Sequence, residues 1–452
     1  MNLSPEKSKT KVLFYLIFII SLISCGTDQP DKIDSVEISQ SDKEQKERPA
    51  DEKTQNEPGN VGKNETEPND SKQNNSDKES ELIDPKPNFA TKNGYFVRNG
   101  EIIKAFEGKE KVIKLHGINW FGLETKALAL HGLWQDQSSI DGYLKIIKDT
   151  GLNALRVPLA PETLDPNLKS QEPWASKWNS GREMLEELLV KTQKQGLYVL
   201  LDMHTCHYKA GYKTGRIDHP ECPNYNETKW LKDLEELAAL ALKFDHIVGI
   251  DIYNEPHYYN WKEWKKMAER AAKTIIAVSD QSNGFDKNPS LIFVEGVGSK
   301  GYTGSYTPFW GENFKEAEND LPQIDSEKLI FSPHVYGPDV FMQDYFSAQS
   351  FPLNMPAIWD SHFGYLKAKN KVLAIGEFGG KYKKGSTDKE WQDSFTDYLI
   401  SKNIAHWFYW SLNPNSGDTG GLLEGDWKTI NSDKEKLLRK LISSKPAAPS
   451  RP

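Results

Sequence analysis

Eight short apolar runs recur between Ile113 and Leu412, and this repetition limits the fold more than any other feature of the chain. They are Ile113 to Trp120, Asn153 to Leu159, Leu197 to His204, Val248 to Glu255, Leu291 to Glu295, Leu329 to Tyr336, Val372 to Phe378 and His406 to Leu412. Between them, Arg182 to Gln195, Trp230 to Phe244, Trp261 to Val278 and Trp391 to Ser401 carry apolar residues at three-to-four spacing, which predicts helices with one buried face. Strands that are apolar on both faces belong in a parallel sheet covered by helices. Eight β–α repeats close most naturally into a (β/α)8 barrel of the α/β class. An open doubly wound sheet would normally carry a glycine-rich phosphate turn after its first strand, and none follows here. Ahead of the repeats, Asn99-Gly100 stands between the apolar runs of residues 95–103 and predicts a β-hairpin, placed as a plug beneath the barrel.

Two of the runs deliver a carboxylic acid at their carboxyl end, the end at which barrels of this kind carry their chemistry. Val248 to Tyr253 leads into Asn254-Glu255-Pro256-His257, where proline ends the strand and biases Glu255 toward extended backbone. Val372 to Gly376 leads into Glu377 and then breaks on Gly379-Gly380. Paired carboxylates are what glycosidic bond cleavage requires. One keeps a proton for the leaving oxygen, and the other stays ionised to meet the sugar carbon. Burial among apolar strands raises a carboxyl pKa and so favours the first role. A structural pair of ion-paired glutamates is the alternative that the residues themselves leave open.

The amino terminus reads differently. Lys7, Lys9 and Lys11 precede an apolar run, Val12 to Ile23, too short for a membrane-spanning helix, which predicts a secretory signal over residues 1–24. Leu22-Ile23-Ser24-Cys25 resembles a bacterial lipobox, implying cleavage before Cys25, lipidation there and a membrane attachment. Residues 25–88 are rich in Asp, Glu, Lys, Asn, Gln, Ser and Pro, with few large apolar residues, and are expected to form a disordered charged tether. The catalytic domain is expected over 89–445, with a short tail at 446–452. The net charge of -8 argues against nucleic acid as a partner.

The remaining strand ends supply Asn119 and Trp120, Arg156, His204, His334, Tyr336 and Trp410. With Gly117 to Gly122, His131 to Trp134, Asn254 to His257, Phe293 to Gly296, Gly376 to Gly379 and Asn413 to Gly421, the chain resembles glycoside hydrolase family 5, in the branch of bacterial cellulases. That resemblance runs from about Tyr95 to the final helix. It implies Glu255 as acid/base and Glu377 as nucleophile of a retaining endo-β-1,4-glucanase acting on cellulose or a related β-glucan. It further implies Arg156 and Tyr336 holding Glu377 ionised, Asn254 and His204 binding sugar hydroxyls, and His334 on the acid/base side. Trp410 is expected to stack on the sugar at the cleavage point, Asn119 to contact substrate, and Trp120, Trp134 and Trp310 to line further subsites. No cofactor or metal is implied, and a monomer is expected.

The loop after the third strand departs from the closest cellulases in running from His204-Thr205-Cys206-His207-Tyr208 to His219-Pro220-Glu221-Cys222-Pro223. Because it borders the sugar cleft, a β-mannanase or xyloglucan hydrolase on the same scaffold is the alternative enzyme. A non-catalytic glycan-binding surface lipoprotein is the alternative outside enzymes. With Cys25 taken by lipid, Cys206 and Cys222 are the thiols left in an exported domain, and a disulfide is expected. A Cys/His zinc site and two free thiols stay open.

Overall fold

The computed structural model describes residues 93–136, 138–210, 215–278, 290–298 and 311–444. The expected signal peptide, Cys25, the tether, Trp310 and the tail from residue 446 lie outside them. Three strands, β1 (Gly94–Arg98), β2 (Glu101–Phe106) and β3 (Lys109–Ile113), form an antiparallel sheet. Both connections are two-residue turns with positive φ at each position: Asn99 (53°) with Gly100 (73°), and Glu107 (48°) with Gly108 (74°). This geometry matches the right-handed twist of paired strands. The expected hairpin is therefore one strand short, because Glu107-Gly108 is a weaker turn signal than Asn-Gly and Lys109 to Val112 is exposed. Ile113 belongs to this sheet and not to the barrel.

The barrel follows as β4 (His116–Asn119), α1 (Ile140–Asp149), β5 (Ala154–Leu159), α2 (Gly181–Gln195), β6 (Tyr198–Met203), α3 (Glu227–Ala241), β7 (Ile247–Asp251), α4 (Trp261–Ala277) and β8 (Leu291–Val294). It continues with β9 (Leu329–Phe331), β10 (His334–Tyr336), α5 (Met355–Trp359), α6 (Tyr365–Ala368), β11 (Ala374–Gly379), α7 (Thr387–Ser401), β12 (His406–Tyr409) and α8 (Ser432–Ser443). The parallel sheet runs β10-β11-β12-β4-β5-β6-β7-β8-β9. Its two ends are one stretch of chain, since only Ser332-Pro333 separates β9 from β10. Pro333 has no N–H for the ladder, so it splits a single strand in two. Phe331 N–H still donates to Val372 and Gly376 N–H to Pro333 across the break, and the curled sheet becomes a ring of eight strand positions, consistent with a (β/α)8 barrel.

Helix starts are set locally. Ser180, Asn226, Asn260, Ser386 and Asn431 each accept a backbone N–H with their side chain at the head of a helix, and Asn260 and Glu263 cap one another reciprocally. Beneath the strands, Tyr95, Ile102 and Ile113 pack against Ala154, Leu200, Val248, Leu291, Phe293, Ile330, Val372 and Phe408, so the small sheet seals the amino-terminal end of the barrel. The other end is left for the site.

In the loop after β6, Cys206 and Cys222 are buried and joined by a disulfide with a Cα–Cα separation of 5.7 Å. The crosslink spans a sequence separation of 16 residues. Converting both to Ser should cost about 3 kcal/mol of unfolding free energy, read from urea denaturation. An unchanged denaturation midpoint, or thiols at both positions that react without prior reduction, would count against the crosslink.

Candidate active site

Arg156, on β5, is fully buried at the centre of the barrel's open end. Its Nη1 donates to Glu377 Oε1 at 2.6 Å and to Asn119 Oδ1 at 3.1 Å. Nε reaches Asp251 Oδ2 at 3.0 Å, and Nη2 reaches Asn254 Oδ1 at 3.0 Å. Nη2 also stands 3.1 Å from Asp202 and 3.5 Å from Glu295. One permanent cation thus faces four carboxyl groups, and a low-dielectric site cannot hold all four as anions. Burial pushes Asp202 and Asp251 up to about 7 each, against the pull of Arg156.

Glu377 sits on β11 in register with His334 on β10, and the Tyr336 hydroxyl donates a hydrogen bond to Glu377 Oε2 at 2.5 Å. Burial raises the Glu377 carboxyl, while Arg156, then His204 and Tyr336 draw it back down. Glu255 lies beyond the end of β7, with its side chain 18% exposed and one oxygen 3.3 Å from His334 Nδ1. Burial raises Glu255 well above the carboxylate range, and the negative charge of Glu377 raises it further. One oxygen of Glu255, one of Glu377 and a ring nitrogen of His334 all lie within 4.8 Å of one another. The two acids therefore share a site and differ in what surrounds them: Glu377 has a cation and a phenol, whereas Glu255 has an imidazole that burial and Arg156 hold far below its ordinary pKa, hence neutral. Such a pair can carry one proton and one charge side by side.

Around it, His204 is held by Asp202, whose Oδ2 is 2.6 Å from Nδ1, and keeps its Nε2 without a partner among the described residues. Trp410 is half-buried, its ring parallel to those of Phe121 (centroids 5.5 Å) and His204 (5.7 Å), and its Nε1 donates to Ser416. Trp134 is also half-buried and meets Trp174 and Trp427 edge-on.

Asn119 and Trp120 depart from expectation. Asn119 is fully buried, spending its side chain on Arg156 and on the Gly376 and Tyr409 carbonyls, so it holds the arginine and does not reach a ligand. Trp120 is fully buried against Tyr143, its Nε1 given to the His131 carbonyl, and it is core. The backbone of Glu255 is a third difference. Its φ is +44°, not extended, and β7 stops at Asp251. Sequence reading passed over Asp202, Asp251 and the chemistry of Glu295. The signal for the first two was parity, since Asp202 stands two residues before His204 and Asp251 four before Glu255 on strands that otherwise bury apolar side chains.

The profile of the cellulase family, glycosyl hydrolase family 5, matches residues 107–416. The chain is 36% identical over 370 residues to the major extracellular endoglucanase of Xanthomonas campestris pv. campestris, covering 77% of this chain and 71% of that protein. It is 33% identical over 372 residues to an endoglucanase of Paenibacillus polymyxa, covering 78% and 88%. A crystal structure of the endocellulase of Pyrococcus horikoshii in complex with cellotetraose superposes with a TM-score of 0.70 at 32% identity, covering 78% of this chain and all of that one.

Replacing Tyr336 by Phe removes a donor that favours the charged form of Glu377, so the Glu377 pKa should rise by about one unit or more. Carbon-13 NMR titration of the side-chain carboxyl reads this directly. A pKa that stays or falls would separate Tyr336 from the ionisation of Glu377.

Proposed function

Since the chain belongs to glycosyl hydrolase family 5 and is thus a glycoside hydrolase, we propose that it is a retaining endo-β-1,4-glucanase working through Glu255 and Glu377. The observation that carries this reading is the approach of the two carboxyl groups, an oxygen of each within 4.8 Å of the other. Retaining enzymes set their carboxyls about 5–5.5 Å apart, whereas inverting enzymes leave a wider gap of about 6.5–9.5 Å for water. Glu377, ionised by Arg156 and Tyr336, attacks the anomeric carbon and forms a glycosyl ester. Glu255 gives its proton to the departing oxygen and then, as a carboxylate, takes one from the water that cleaves the ester. The neutral His334 beside Glu255 leaves the acid uncompensated by positive charge, which keeps the proton on it until transfer. His204 and Asn254 face the sugar hydroxyls, with Trp410 and Trp134 as ring platforms.

The substrate assignment to a β-1,4-glucan draws on the endoglucanase relatives and the cellotetraose complex. Carboxymethylcellulose and β-glucan should be hydrolysed faster than mannan or xyloglucan, and the reverse order would move the enzyme to another glycan. We also propose export and attachment through lipid at Cys25, with residues 25–88 as the tether. Export is in keeping with the extracellular relative. Cys25→Ala should leave the membrane fraction or remain unprocessed. Acyl chains still found on that variant by mass spectrometry would refute the anchor.

The two glutamates are told apart by stereochemistry. In Glu377→Ala, azide can attack an activated β-glycoside in a single inversion and give the α-glycosyl azide. In Glu255→Ala the ester still forms with a good leaving group, and azide then attacks it, so two inversions give the β-product. Proton NMR of the rescued azides distinguishes them. The opposite pairing of variant and anomer would reverse the roles.

A further inference from the structure

Glu255 holds its place by an unusual route. A φ of +44° is a conformation that few residues with a side chain adopt, and the surroundings must offset its cost. Two neighbours clamp it. The His257 ring donates from Nδ1 to the Glu255 carbonyl at 2.8 Å, and the Glu255 N–H donates to Glu295 Oε2 at 2.9 Å. Glu295 follows β8 and is fully buried. Its main-chain carbonyl accepts from Trp264 Nε1 at 2.8 Å. Its carboxyl lies against Gly311, where φ is +76° and a Cβ would come within 2.5 Å of Oε2. Two residues past Gly296, Gly298 N–H donates to the Pro256 carbonyl at 2.9 Å, so the segment after β8 is sewn to the turn that carries Glu255. The other carboxyl oxygen, Oε1, stands 3.1 Å from His334 Nε2 and 3.5 Å from Arg156. Glu295 therefore touches the main chain of one catalytic glutamate, the imidazole beside it and the arginine that supports the other.

We propose that Glu295 is a positioning residue for Glu255, fixing by its bond to the Glu255 N–H the left-handed turn that presents the acid to the leaving oxygen. This rests on the reading of Glu255 as acid/base. A group that only places the acid matters in proportion to how much the leaving group needs a proton. Cellotetraose needs one, and a 2,4-dinitrophenyl glycoside hardly does.

The test compares kcat/KM for cellotetraose and for 2,4-dinitrophenyl β-cellobioside. Glu295→Met, similar in length and without an acceptor, should lose about tenfold or more on cellotetraose and less than about threefold on the aryl glycoside. Glu295→Gln keeps a carbonyl acceptor for the Glu255 N–H and should recover most of that loss. Equal losses on both substrates, or a Gln variant as poor as Met, would overturn the proposal. Glu255→Ala, run alongside, must show the same split between substrates. Without it the acid assignment itself fails and the proposal falls with it, whereas a split in Glu255→Ala but none in Glu295→Met removes the Glu295 role alone. Should the Met variant not fold, amide hydrogen exchange on the wild-type chain decides. The Glu255 N–H is expected to be strongly protected, and exchange at the rate of a free amide would overturn the inference.

Discussion

The guanidinium of Arg156 is the contact on which the open end of the barrel depends. Its partners come from β4 (Asn119), β6 (Asp202), β7 (Asp251), the turn after β7 (Asn254), the end of β8 (Glu295) and β11 (Glu377). A planar fork with five N–H groups can serve so many acceptors from one position, and a lysine could not. Such a cluster is a poor way to stabilise a core, because desolvating the charges offsets most of their attraction and apolar packing would often do as well. Its value is in geometry and in charge. Six pieces of chain are drawn to one point, and the point has a fixed sign.

That sign sets the two glutamates apart in charge. Four carboxyls around one cation force some of them to keep protons, and burial makes the buried acids compete for the arginine. Glu377 has Arg156 at 2.6 Å and a phenol besides, so it is the carboxyl best placed to remain charged. Glu255 has no cation of its own and looks onto the charge of Glu377, so the proton stays there. The two side chains are chemically identical, and the difference in charge between them is imposed by one guanidinium and one hydroxyl.

Much of this was legible in the sequence, and the parts that were not share a cause. Strand and helix periodicity marked all eight barrel runs, and the helix boundaries around Gly181–Gln195 and Trp261–Ala277 fell within a residue or so of the pattern. Periodicity reports burial, though, and does not say what a buried side chain faces. Asn119 and Trp120 stand at a strand end like Tyr336, yet Asn119 is spent on Arg156 and Trp120 is packed in the core, which only the tertiary structure decides. Asp202 and Asp251 are the converse case, polar residues inside apolar strands whose purpose appears only once Arg156 is set between them. The third strand of the plug was hidden because Lys109 to Val112 is exposed and carries no apolar alternation.

The backbone of Glu255 shows why a strand-end motif is not by itself a site. Asp251 already lies level with the guanidinium, bonded to it from the last residue of β7. The two carboxyls come within 4.8 Å of one another. Past β7 the chain still follows its neighbours, with Ile252 N–H donating to Phe293 and Asn254 N–H to Met203, and only at Glu255 does φ turn positive. Glu377 needs no such device, because it stands inside β11 with His334 beside it in register. One carboxyl is placed by the sheet and the other by a strained turn held from both sides. The two acids thus reach one place, an oxygen of each within 4.8 Å of the other, by different means.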